Sequence, residues 1–149
     1  MSYIDNSEDK MKASKTLLGK IKLRIKKRKD RIFILNDFCD FIEKYDYDQV
    51  LRALRTLVKD GLLIKIGQGI YAKTKVFFNG MIALCANIGD LACEALEKLG
   101  VKTDKSQYWK DYNNGISTQV PTGRVIAVSK RVRRKISYNG YEVVFESMV

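Results

Sequence analysis

Gln49, Arg52 and Thr56 recur at intervals of three and four residues. On an α-helix that spacing brings them onto one side. A glutamine amide can meet adenine through two hydrogen bonds, and an arginine can do the same with guanine. A threonine hydroxyl serves either base. Tyr47 stands at the leading end of the stretch, so Tyr47, Gln49, Arg52 and Thr56 are the expected base-reading set. Arg55 lies among them, Lys59, Lys65, Gln68, Lys73 and Lys75 follow them, and Lys26, Lys27 and Arg28 precede them. Their long donor side chains suit phosphate oxygens, which position a protein on nucleic acid without reading its sequence. A second basic patch comprises Arg131, Arg133, Arg134 and Lys135, next to Lys130. If it is a strand, alternation puts Arg131, Arg133 and Lys135 on one face. That face is either a charge-protected sheet edge or a contact surface.

Catalytic chemistry has little to work with. The chain has no histidine, so every scheme that needs an imidazole base is absent. Asp37, Asp40 and Glu43 lie together on a predicted helix, but no other reactive group converges on them, and no catalytic residue is assigned. Cys39, Cys85 and Cys93 are widely spaced in apolar contexts and read as reduced, buried small hydrophobes. A zinc site wants four ligands, which this set does not supply. No metal or cofactor is expected. Gly67 and Gly69 are turn residues, because a strand follows them where a phosphate-cradling loop needs a helix.

The elements that must position these side chains are legible in part. Val50, Leu54, Leu57 and Val58 fall at i, i+4, i+7 and i+8, one face of a helix. Asp48 is its expected N-cap and Gly61 its left-handed C-cap residue. Residues 62–66 alternate, residues 70–75 can pair back, and Gly67-Gln68-Gly69 makes the turn. Upstream, residues 10–29 read as an amphipathic helix started by Ser7, with Met11, Ser14, Leu18, Ile21 and Ile25 on one side. Residues 31–35 suit a short strand, and Asn36 is the expected cap of a helix over residues 37–44. The order is helix, strand, helix, turn, helix, hairpin, which is that of a winged helix-turn-helix.

Downstream, Asn79-Gly80 breaks the chain. Residues 81–86 and 91–99 read as apolar helices, the second closed by Gly100. Tyr108, Trp109 and Tyr112 are either an exposed recognition patch or local packing. From Ile116 the pattern becomes strand-like: Pro121 fixes the entry, residues 125–128 are a buried strand, and Asn139-Gly140 turns a hairpin whose return arm is residues 141–145. The expected fold is α+β. A loosely ordered segment, 1–9, precedes a winged helix-turn-helix domain, 10–78. A small α+β domain, 79–149, ends in an antiparallel hairpin.

Composition agrees with a basic folded protein. The chain has 149 residues, 46% of them hydrophobic, and a formal charge of +11. The apolar share supports a core and excludes global disorder. The charge favours a polyanionic partner. No apolar run approaches the roughly 18 residues of a membrane span. The first nine residues lack the basic start and apolar stretch of a signal peptide, so a cytoplasmic location and no membrane partner are expected.

Phe33, Asp37-Phe38, Val50, Ala53-Leu54, Leu57, Gly61, Ile66 and Gly69-Ile70-Tyr71 together resemble the N-terminal winged helix of AbiEi-type antitoxins. The segment at 115–122, Gly-Ile-Ser-Thr-Gln-Val-Pro-Thr, is similar to the second half of one subgroup. So are Ile136, Gly140-Tyr141 and Val143-Val144-Phe145. The resemblance covers most of residues 31–146. It implies a transcriptional regulator of a type IV toxin–antitoxin system that binds double-stranded DNA at its own promoter. It also implies a cognate nucleotidyltransferase-like toxin as the second partner. The alternative is a protein-interaction module that neutralises or scaffolds a partner and binds nucleic acid only weakly.

Overall fold

A computed structural model describes residues 16–105, 107–115 and 124–148, with the side chains of residues 107–109 left aside. The chain is mixed α+β, with helices packed on small, mostly antiparallel sheets. Helix α1 (Leu17–Lys27) opens it. Thr16 caps this helix, its hydroxyl accepting the Gly19 amide at 3.0 Å. The predicted start at Ser7, and residues 10–15 of the predicted helix, lie outside the described residues. Ile21 and Ile25 face the core while Lys26 and Lys27 face solvent.

Strand β1 (Ile32–Ile34) is followed by a 3-10 turn (Leu35–Phe38) and helix α2 (Cys39–Lys44). The predicted cap at Asn36 is replaced from inside. The Asp37 carboxylate accepts the Ile34 amide at 2.9 Å, because a carboxylate three residues on can reach back to a free N–H. Helix α3 (Tyr47–Lys59) runs into the hairpin of β2 (Leu63–Gly67) and β3 (Ile70–Val76). In the sheet β3 lies between β1 and β2, antiparallel to both.

Side-chain alternation divides this sheet between two cores. Phe33, Leu63 and Tyr71 point to the side of α1, α2 and α3. Ile32, Ile34, Ile66, Ile70 and Ala72 point the other way, against the second half of the chain. That explains why β1 reads as a continuous apolar run: both of its faces are covered.

Residues 81–86 do not form the expected helix. Ile82–Leu84 is a strand, β4, antiparallel to β3 in the register Thr74↔Leu84. The run is too short to offset helix nucleation, while β3 offers it a ready ladder. Helix α4 (Ile88–Lys98) follows, capped by the Asn87 side chain on the Gly89 amide at 2.7 Å. Leu91, Ala92, Ala95 and Leu96 bury against the sheet. Gly100 closes the helix as expected, with φ +86° and the Val101 amide reaching Leu96 O at 2.8 Å. Two ionic ties reinforce the packing. Arg31 meets Glu94 at 2.9 Å, and the Lys98 ammonium binds Asp37 at 2.9 Å and Ile32 O at 2.7 Å.

The remaining elements are β5 (Thr103–Lys105), α5 (Gln107–Asn113), β6 (Val125–Val128), β7 (Ser137–Tyr138), β8 (Tyr141–Glu142) and β9 (Val144–Ser147). Asn139 and Gly140, at φ 53° and 83°, turn β7 into β8 as expected. The hairpin stops there, however. The chain does not end in it: β9 leaves to pair with β6 in parallel, Val125 opposite Val144. Burial of Val143 and parallel pairing with a buried strand outweigh a longer local hairpin. The predicted aromatic pair Tyr108 and Trp109, the segment 116–122 and Pro121 lie outside the described side chains or residues. Among the described residues no helix is long and apolar enough to cross a membrane.

Candidate nucleic-acid interface

Helix α3 carries the predicted base-reading residues. Its cap is Asp46, whose carboxylate accepts the Gln49 amide at 3.1 Å. Asp48, the expected cap, lies two residues on in the first turn, where its charge complements the positive end of the helix. At the other end Gly61 takes φ +83°. Its amide reaches Val58 O at 3.1 Å and the Leu62 amide reaches Leu57 O at 3.0 Å, a complete Schellman closure. Val50, Ala53, Leu54 and Leu57 are buried, which leaves Asp48, Arg52, Arg55 and Lys59 as the outward ridge.

The two flanks of this ridge differ. Gln49, Arg52 and Thr56 lie beside Leu17 and Leu18 of α1, over a shallow depression. The Thr56 hydroxyl donates to Arg52 O at 3.0 Å, so its proton is held within the helix. Tyr47, Leu51 and Arg55 lie on the opposite flank, toward the hairpin. There a groove of about 980 Å³ opens between α3, the β2–β3 turn and the segment 133–135. Ile34, Leu35, Leu51, Tyr71 and Leu99 contribute its apolar lining. Arg55, Lys65, Arg133, Arg134 and Lys135 supply its cations, and no acidic residue lines it.

That lining depends on an unpredicted path of the chain. The expected strand over residues 131–136 does not form; the segment is tied at its ends, where the Ser129 amide donates to Lys102 O at 3.0 Å and Ile136 O accepts the Val143 amide at 2.9 Å. It runs as a strap across the hairpin. Ile136 is fully buried beneath it. The Arg134 guanidinium donates to Gln68 O at 3.1 Å. Lys135 O passes so close to Gly67 that a Cβ there would lie 2.9 Å from it. Gly67 is therefore a close-approach glycine as well as a turn residue. Gly69, at φ +71°, serves the turn itself.

The predicted phosphate contacts separate accordingly. Lys65, Gln68 and Arg55 reach the groove together with Arg133, Arg134 and Lys135, while Arg131 is exposed outside it. Lys73 does not reach it. Its ammonium donates to Arg28 O and sits 5.7 Å from the Phe33 ring centre. Lys75 lies over Phe77, 5.1 Å from the ring centre, toward the far end of β3. Lys26 and Lys27 are exposed at the end of α1, and Arg28 pairs with Asp37 at 3.4 Å. Lys59 is exposed in the last turn of α3.

Charge pairing sharpens the contrast. Ion pairs among the described residues include Arg24–Asp40, Arg28–Asp37, Arg31–Glu94, Lys98 with Asp30 and Asp37, and Lys110–Asp104. None of these uses a groove cation. Asp37 and Asp40 are thereby committed to structure: Arg24 grips both Asp40 oxygens, at 2.6 and 2.7 Å, and holds its carboxyl down to about 2. Burial pushes the Tyr71 phenol upward, with Arg55 opposing, so it stays protonated at neutral pH. Cys39 is exposed rather than buried, because Phe38 and Phe41 turn the core face of its helix the other way. Cys85 and Cys93 are half-buried, and burial raises both thiols.

Sequence reasoning did not place Leu51, Asn36, Tyr71 or Leu99 at the site. Leu51 had a local signal, an apolar residue just off the core stripe. Asn36 and Leu99 had none, since they arrive from segments far apart in the chain. Comparisons with protein-family models, curated proteins and solved structures return no match.

Proposed function

We propose that the chain is a sequence-specific DNA-binding transcriptional regulator built on a winged helix, acting in the cytoplasm as the autoregulating antitoxin of a type IV toxin–antitoxin system. The observation that carries the DNA-binding part is the acid-free groove between α3 and the hairpin, with Arg55, Lys65, Arg133, Arg134 and Lys135 around an apolar lining. The strand order β1-β3-β2, following helix, strand, helix, helix and hairpin, supports the winged-helix reading. In this reading the ridge of α3 enters the major groove, which is about 12 Å wide and admits a helix. One sugar–phosphate strand then lies in the groove, held by the five cations. Arg52 and Gln49 reach base edges, and Lys65, Gln68 and the strap hold phosphates. The antitoxin role rests on the resemblance of residues 31–146, and its partner is a nucleotidyltransferase-like toxin.

The test is fluorescence anisotropy on DNA from directly upstream of the reading frame, against a scrambled duplex at the same salt. Arg52→Ala weakens the upstream site by about 1–3 kcal/mol and leaves the scrambled duplex unchanged. Lys65→Ala weakens both alike. Equal affinity of the intact protein for both duplexes refutes sequence-specific binding. A nucleotidyltransferase-like reading frame beside this one is expected, and co-expression tests the antitoxin role: that frame alone arrests growth and this chain restores it, whereas a neighbourhood with no such frame counts against the role.

A further inference from the structure

The turn between β3 and β4 is tightly built and its surface is apolar. The Phe77 amide donates to Met81 O at 2.9 Å and the Gly80 amide to Phe77 O at 2.8 Å. Asn79 Oδ1 accepts the Met81 amide at 3.1 Å, and Gly80 takes φ +84°. Ordinary turn chemistry places polar residues around such a frame. Here Val76, Phe77, Phe78, Met81 and Ile82 are exposed to 65%, 42%, 105%, 64% and 43%. A phenyl ring wholly in water contributes nothing to the fold. Phe78 and four partly exposed apolar neighbours on one ordered turn form a patch of the kind that marks an interaction surface.

We propose that this turn docks a protein partner whose surface offers an apolar pocket rimmed by carboxylates, with Phe78 as the inserted side chain. The charge around the turn selects that partner. From residue 61 to residue 89 the chain carries no acid, and Lys75 is the lysine beside the turn, since Lys65 lines the groove and Lys73 is held by Arg28 O. Lys75 stands at the base of the turn, its ammonium 5.1 Å from the Phe77 ring centre. A second copy is the wrong partner: each copy carries +11. The groove beside α3 and the depression beside α1 both contain arginine and no acid, so neither offers a carboxylate rim. DNA is also disfavoured. The turn lies at the opposite end of β3 from the groove, about 20 Å away for seven residues of strand. Partner and nucleic acid can therefore bind together, and the proposal stands whether or not the groove binds DNA.

The experiment replaces Phe78 with the photoreactive p-benzoylphenylalanine in the full chain, expressed in its own host. Illumination yields an adduct with a protein of acidic isoelectric point, identified by mass spectrometry. That protein, purified, then binds the wild-type chain in titration. Phe78→Ser and Lys75→Glu each weaken it about tenfold or more, as loss of an interface anchor does. Both variants keep the wild-type melting temperature, and Phe78→Ser keeps the wild-type DNA affinity. Adducts only with a second copy, with DNA or with lipid, or no adduct, overturn the proposal. So does a captured protein that Phe78→Ser binds as tightly as wild type.

Discussion

Arg55 and Lys73 carry the same charge in the sequence but have different surroundings. Arg55 lines the groove with no carboxylate against it, whereas Lys73 is spent on Arg28 O and the Phe33 ring. Arg55→Ala is therefore expected to lower DNA affinity and to flatten the dependence of log K on log salt by about 0.9. Lys73→Ala leaves that slope unchanged and instead costs about 1 kcal/mol of stability, from the lost hydrogen bond. Anisotropy titrations over a salt series, with thermal melts beside them, separate the two. Gly67 makes a second residue-scale case. A methyl group there lies against the Lys135 carbonyl, so Gly67→Ala must push the strap aside. The expected cost is about 1–3 kcal/mol in thermal unfolding, with a parallel loss of DNA affinity.

Element by element, the helices depend on their ends. Gly61 closes α3 at φ +83°, and a Cβ there would lie 2.4 Å from the Ile82 Cδ1. Gly61→Ala is expected to lose about 1–2 kcal/mol to the left-handed backbone alone, read from the melting temperature. The clash with Ile82 is relieved by the end of a flexible side chain. One ion pair between α1 and α2 depends on pH, beside the apolar contacts that hold the two helices together. Arg24 holds Asp40 at about 2, below the ordinary 3.8. A carboxylate whose folded value is depressed stabilises the fold above its unfolded value, and that contribution fades as pH falls from about 4 toward 2. Asp40 is more than half exposed, so its worth is at most about 1 kcal/mol. Melts from neutral pH to pH 2 show the sign: Asp40→Asn melts below wild type at neutral pH, and the gap closes in acid. The ends of α3 and α4 were legible in part. Gly61 and Gly100 announce themselves, because few other residues tolerate positive φ. The N-caps were not: Asp46 and Asp48 are chemically equivalent, and only the backbone path chooses between them.

Across the whole molecule, one central sheet separates two cores, and the second half of the chain supplies the outer layer of one of them. Ile136 is the anchor that holds the strap on the hairpin, and it is fully buried. Ile136→Ala is expected to cost about 2–5 kcal/mol and to loosen the groove with it. Urea unfolding followed by fluorescence and by far-UV dichroism checks this, and the coincidence of the two curves tests whether the halves unfold together. Local pattern determined much of this protein from the sequence alone. The helical period placed α3, Asn139-Gly140 placed a turn, and Gly67-Gln68-Gly69 placed the hairpin. The one-signed charge is what the proposal of a polyanionic partner starts from. Tertiary structure decided which cations face the groove, that residues 82–84 pair as a strand, and that β9 runs parallel to β6. The physical reason is the range of the contacts. Caps, turns and amphipathic faces are interactions between near neighbours, and residue types at fixed spacing encode them. The groove joins Asn36, Arg55, Gln68, Leu99 and Arg134, whose meeting depends on how every intervening element packs.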